Sequence, residues 1–138
     1  MSTTPGPGTA TTPTPATATA PIKWFDGPQK HDYPAAQSYL SLTMKPALVD
    51  KIVAALKKAE MTAFKSKDIF RASRLPLLGI GNYHVEKVRA EILAGLQISP
   101  LLLYREKITA RVVIADGYHR LCAVYTFDED ADIPCKIV

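Results

Sequence analysis

The segment from Arg111 to Tyr125, reading RVVIADGYHRLCAVY, constrains this chain more than any other. Arg111 to Ala115 is a short run rich in β-branched residues, the pattern of a buried strand. Asp116-Gly117 breaks that run, and Gly117 can take backbone angles closed to other residues, so a sharp turn is possible there. From His119 to Phe127 the spacing becomes helical, with Leu121, Val124 and Tyr125 on one side. A strand, a glycine turn and a helix start are therefore expected in direct succession.

That succession suits anions. The first N–H groups of a helix lack internal partners, and the helix dipole favours negative charge there. The dipole alone contributes only about 0.3–1 kcal/mol. Charge-assisted hydrogen bonds from Arg120 and a protonated His119 would each add roughly 1.5–3 kcal/mol, so side chains decide whether a phosphate is held. Asp116, at the strand end, can orient one of these bases, hold a metal or a hydroxyl, or simply cap the helix, with His119 and Arg120 then solvated in its first turn.

The residues Asp116-Gly117-Tyr118-His119-Arg120 follow a hydrophobic strand. They precede an apolar helix leading to Ile133-Pro134-Cys135-Lys136-Ile137-Val138. In this order they resemble the ParB/sulfiredoxin superfamily. Sulfiredoxins carry Gly-Cys-His-Arg at this point, ParB-type partition proteins Gly-Glu-Arg-Arg, and free-serine kinases of the same fold Asp-Gly-His-His-Arg. More narrowly, the run from Lys67-Asp68-Ile69 through Arg71-Ala72-Ser73 to the C-terminus is similar to a group of ParB-like bacterial proteins. The resemblance covers roughly residues 64–138. It implies a corner that holds nucleotide phosphates, with Gly117, His119 and Arg120 as contacts and Tyr118 in the same binding run. It implies ATP or another nucleotide with Mg2+ as cofactor. Tyr118 stands where sulfiredoxin has its reactive cysteine, which argues against sulfinic acid reduction by that route. No counterpart is placed for the glutamate that the serine kinases use upstream of the motif. The sequence stops at Val138, so the helix-turn-helix and dimerisation domains of a partition protein are not expected.

After Met1, residues 1–21 hold only Thr, Pro, Ala, Gly and Ser, with no charge and no large apolar residue. Such a segment cannot bury enough apolar surface to offset its ordering entropy, so a disordered tail is expected. It has neither the basic start nor the apolar core of a secretory signal. No stretch approaches the ~20 apolar residues of a membrane span, and a cytoplasmic protein with no membrane partner is expected. All charge falls on residues 22–138, which are expected to form one domain with a formal net charge of +4. That excess is compatible with an anionic ligand and weak for DNA, because no basic stripe accompanies it.

Two cysteines, Cys122 and Cys135, lack zinc spacing, and no metal site is expected. Both read as packed, reduced thiols. The functional alternative places Cys122, one turn beyond Tyr118, at the pocket edge with its pKa lowered by the helix start.

Along the rest of the chain, Ile22-Lys23-Trp24-Phe25 is a short apolar run, with Trp24 pinning this arm to the domain or anchoring a partner. His31 to Pro34 reads as loop, with His31 solvated or, as the alternative, lining a site, and Ala35 to Leu42 as one or two helical turns. Thr43 to Glu60 is expected as a helix with Thr43 as cap, Pro46 in its first turn, and Leu48, Val49, Ile52, Val53 and Leu56 as its apolar face. A short strand or turn is expected around Ile69. Arg71 and Arg74 flank Ser73 and are either surface charge or part of an anion site. Gly79-Ile80-Gly81 lacks the third glycine and the strand of a dinucleotide fingerprint. Asn82 should cap a helix through Gln97 that shows Val85, Val88, Ile92 and Leu96 to the core. His84 and Glu86 in its first turn are solvated or face the ligand. Leu101 to Tyr104 should pair with Arg111 to Ala115 through a turn at Arg105-Glu106-Lys107. Asp128 to Asp132 reads as a solvated acidic connection, and Ile133 to Val138 as the closing strand.

The expected fold is α+β, a small mixed β-sheet flanked by helices, ParB/sulfiredoxin-like. Three function classes follow. The first is a nucleotide-binding domain or enzyme of phosphoryl transfer or nucleotide hydrolysis. In it, Asp116 is base or magnesium ligand, and His119 and Arg120 neutralise moving charge. The second is a non-catalytic binding module of the same fold. The third, nucleic-acid binding or cleavage, is the weakest. The oligomeric state is not legible.

Overall fold

Three consecutive leucines, Leu101 to Leu103, show where the centre of the molecule lies. A run apolar at every position, without alternation, belongs to a strand covered on both faces. In the computed structural model, which describes residues 21–138, this run opens β2 (Leu101–Glu106), and all three leucines are buried. β2 pairs antiparallel with β3 (Arg111–Asp116) and parallel with β4 (Asp132–Ile137). β4 in turn pairs antiparallel with β1 (Thr62–Lys65). The sheet is thus mixed and four-stranded, in the order β1-β4-β2-β3.

The helices flank it, giving the expected α+β class. α1 (Asp32–Leu40) and α2 (Pro46–Lys58) cover one face, where Leu102, Val113 and Ala115 point. α3 (Ser66–Ser73), α4 (Tyr83–Leu93) and α5 (Tyr118–Phe127) lie on the other side. There Leu101, Leu103 and Ile114 meet Ile69, Leu121 and Val124. Successive residues of one strand thus feed two separate cores, as the two-residue period of a strand requires. No helix among the described residues is long and apolar enough to cross a membrane. The expected tail falls, but for Pro21, on residues 1–20, outside the described residues.

Several boundaries depart from the sequence reading. The segment around Ile69 is neither strand nor turn: Ile69 sits in α3, and the strand comes earlier. β1 is an edge strand with all four residues exposed, so it carries no hydrophobic alternation. The buried face of α3 is Ser66, Ile69 and Ser73, two of its three positions small and polar, which hides the helical period. Ser66 Oγ donates to the Glu129 carbonyl at 2.7 Å, and the backbone N–H groups of Ser66 and Lys67 donate to the Ala131 and Glu129 carbonyls. The acidic connection is therefore tied to the start of α3, although its carboxylates remain exposed.

α1 begins at Asp32, inside the segment read as loop; Pro34 is tolerated because first-turn N–H groups have no helical acceptor. α2 begins at Pro46 rather than Thr43, and Leu48 is exposed, not part of its buried face. α4 starts at the expected cap, with Asn82 Oδ1 accepting from the N–H groups of His84 and Val85 at 2.9 and 3.1 Å. It stops at Leu93, short of Gln97. Gly95 turns left-handed (φ 77°), and the N–H groups of Gly95 and Leu96 donate back to the Ile92 and Glu91 carbonyls, a Schellman ending that leaves Leu96 exposed. β2 runs through Glu106, so the hairpin turn lies at residues 107–110. Trp24 pins its arm by a parallel bridge to Ile98, with Phe25 N–H donating to the Ile98 carbonyl at 2.9 Å.

Candidate functional site

The site begins where β3 ends. Asp116 is the last residue of the strand, and Gly117, at φ 110°, turns the chain straight into α5. The glycine answers two demands at once. Its backbone angle is one that side-chain-bearing residues rarely adopt, and a Cβ there would lie 2.8 Å from Leu101 Cγ and 2.9 Å from Arg120 Nη2. No side chain caps α5, so its first N–H groups are not satisfied from within the helix or by a cap.

Arg120 bends back from the first turn of α5 toward the strand. Its Nη2 donates to Asp116 Oδ2 at 2.9 Å and lies 3.4 Å from the Pro100 carbonyl. Both side chains are mostly buried, with 19% of Arg120 and 16% of Asp116 exposed. Arg120 Nε is buried and has no hydrogen-bond partner, so the guanidinium is anchored at one corner and unsatisfied at another. Of the sequence readings for Asp116, orientation of a base is the one observed; it does not cap α5. Its carboxyl is held above the usual range, first by burial and then, against the pull of Arg120, by the neighbouring Asp32. Asp32 is itself buried at the start of α1 and accepts the Gln29 N–H at 2.7 Å.

In front of this corner is a cavity of about 410 Å³. Asp116, Gly117, Tyr118, His119 and Arg120 all line it, so the five-residue motif faces one space. His84 reaches it from the first turn of α4, its ring 4.8 Å from that of His119 between centroids. His31 closes the far side from the residue before α1. The chain has three histidines, and all three line this cavity. Lys87, one turn beyond His84, adds a full positive charge, and Glu91 a negative one. His119 is pushed below its ordinary pKa by burial and then by the charges of His84 and Arg120, so it is largely neutral near pH 7.

Other candidates lie elsewhere. Arg71 and Arg74 are exposed on and just after α3, with Arg74 forming its left-handed end, and neither lines the cavity. Glu86 points to Arg89 at 3.5 Å and is also outside it. The pocket-edge reading of Cys122 is overturned. The thiol is fully buried beside Val85 and Ala123, and burial pushes its pKa up rather than down. Cys135 is likewise buried and pushed up to about 11, as packed thiols are. Tyr118 donates its hydroxyl to the Pro76 carbonyl, bracing the 74–82 connection against the motif.

Sequence reasoning missed Lys87 and Asp32 as parts of this site, and read His31 first as solvated; it is exposed and also lines the cavity. No local signal marks them: 85 residues of chain lie between His31 and Gly117, and only the packing of α1 on β3 brings them together. For a metal, no group of three or more His, Cys, Asp or Glu side chains is placed to hold one among the described residues. Mg2+ bound through nucleotide phosphates needs only one or two carboxylates; at this corner Asp116 already shares its Oδ2 with Arg120.

Comparison of the chain with protein-family models, with curated proteins and with solved structures finds no match.

Proposed function

We propose that this cavity binds the phosphate group of a small molecule, with a nucleotide as the ligand class. The observation that carries the reading is the meeting of all three histidines with Arg120 at the uncapped start of α5. A phosphate seated on the N–H groups after Gly117 would receive Arg120 from below and His119 and His84 from the side. Arg120, anchored through Nη2 by Asp116, would offer its remaining guanidinium N–H groups to a phosphate oxygen. The cavity is of the size of small-molecule sites, roughly 300–1,000 Å³, and is a pocket rather than a basic stripe, which favours a small ligand over nucleic acid. The same reading agrees with the resemblance of the Asp-Gly-Tyr-His-Arg run to the ParB/sulfiredoxin corner.

Asp116 then serves to hold Arg120 in place. With this carboxylate already engaged, the second reading gains support: a module that binds its ligand without turning it over. Thermal shift and phosphate release with ATP, ADP, CTP and GTP plus Mg2+ test both. A nucleotide-specific shift that is lost in His84→Ala/His119→Ala supports the pocket. Phosphate release that requires the same side chains makes the protein an enzyme of phosphoryl transfer or hydrolysis. No shift with any nucleotide or with inorganic phosphate, in folded protein, overturns the phosphate reading.

A further inference from the structure

On the opposite side of the sheet from α5, a second concavity runs between α2 and the β2–β3 hairpin. Its volume, about 1140 Å³, exceeds the roughly 300–1,000 Å³ of small-molecule pockets. Its floor is apolar, formed by Ile52, Val113, Tyr104 and Val138. Its rims carry large apolar side chains left in solvent: Leu42 is 79% exposed, Ile108 is 94% exposed, and Tyr39 and Leu48 are about half exposed. Isolated exposed leucines need no explanation, but four large apolar side chains around one groove do.

Charge narrows the choice of occupant. Lys51, Arg105, Lys107 and Arg111 line the groove. Arg105 falls with Leu103 toward the α3 face, so three cations serve the groove; against them stands one acidic side chain, Glu106, which is already engaged: it accepts the N–H groups of Ile108 and Thr109 at 3.0 and 2.7 Å. That local bonding, with Arg111 adding to it, holds its carboxyl below the usual range. An apolar floor inside a cationic rim is the complement of a rod with one apolar face and acidic flanks. A second copy of the chain would bring the same cations face to face, and the uncharged residues 1–20 would leave them unanswered. A membrane surface would meet the protruding rims but not fill the concave floor.

We propose that this groove is the docking site for an acidic amphipathic helix of a partner protein. Leucine-type anchors at i, i+3, i+4 and i+7 would lie on Ile52, Val113 and Tyr104, between Leu42 and Ile108. Acidic side chains flanking them would meet Lys51 on one wall and Lys107 and Arg111 on the other. This inference is independent of the phosphate cavity.

The test uses the full chain and a fluorescein-labelled helical peptide of about 18 residues, with leucines at those spacings and glutamates between them. Its counterpart has lysines in place of the glutamates. Fluorescence anisotropy should show saturable binding of the acidic peptide and much weaker binding of the basic one. Affinity should fall about tenfold or more in Lys51→Glu/Lys107→Glu, and by a similar factor in Leu42→Ser/Ile108→Ser. All four positions are exposed, so thermal unfolding should confirm that both variants stay folded. Equal binding of the two peptides, or binding indifferent to both variants, overturns the proposal. So does self-association that Leu42→Ser/Ile108→Ser abolishes, which would assign the groove to a second copy. Binding to phosphatidylserine vesicles without peptide binding would assign it to a lipid surface.

Discussion

Arg120 donates to Asp116 across one turn, from the first turn of α5 to the last residue of β3, at 2.9 Å. The bond spans the glycine turn and ties its two ends together. It also keeps the mostly buried guanidinium in the lining of the histidine-lined cavity. Asp116 and Arg120 are thus a structural clasp and a binding device in one, and the two roles separate on mutation.

Arg120→Ala leaves the Asp116 carboxylate mostly buried, beside Asp32 and without its cation. Removing one member of a largely buried ion pair should cost about 2–4 kcal/mol. Asp116→Ala/Arg120→Ala should recover part of that loss, because no stranded charge remains. Urea unfolding of the two variants checks this. Equal losses in single and double variants would show that the pair is not energetically coupled.

Gly117→Ala puts a methyl group within 3 Å of both Leu101 and Arg120 and forces a strained backbone angle. A loss of roughly 1–3 kcal/mol is expected from the backbone alone. Phosphate-induced thermal stabilisation should vanish with it, because the turn that presents the α5 N–H groups would shift. A variant as stable as wild type would contradict the left-handed turn.

The lowered pKa of His119 makes stability depend on pH. Its folded-state value lies below its ordinary 6.5, so the folded protein resists the proton that the unfolded chain accepts. The resulting penalty is absent well above pH 6.5 and grows as pH falls from there through the depressed folded value. The ligand-free protein should therefore lose melting temperature on acidification in that window, and His119→Gln should lose less. Inorganic phosphate should bind more tightly over the same window, because a protonated His119 facing an anion gains a partner. Phosphate affinity that falls on acidification would count against the site.

Asn82→Ala removes the cap of α4 and should cost about 1 kcal/mol. Because the cap holds the N–H of His84 itself, amide exchange should rise at the start of α4. Phosphate binding should weaken while the far cores stay protected. A uniform rise in exchange would indicate global destabilisation instead.

Both thiols should resist alkylation in the native protein and react only on unfolding, since each is buried and pushed up in pKa. A rapidly labelled Cys122 would restore it as a pocket residue.

Local chemistry determined the strand, the glycine turn and the helix at residues 111–127, and the Asn82 cap. Each of these is decided by residues within a few positions of one another. The triple-leucine strand was legible for a related reason: a continuous apolar run has few places to go. Edge strand β1 and helix α3 were not legible. Their pairing partner and their buried serines satisfy backbone groups that come from residues 128–137. The site divides along the same line. The sequence by itself marked Asp116, Gly117, His119 and Arg120, because turn, charge and helix start coincide there. Only the tertiary structure added Lys87 and Asp32, brought His31 to the cavity, removed Cys122, and joined Asp116 to Arg120. Those choices depend on burial and on the packing of α1 and α4 around β3 and α5. The burial of a run such as Leu101 to Leu103 shows in its sequence, but which distant segments meet around the site is a property of the folded chain.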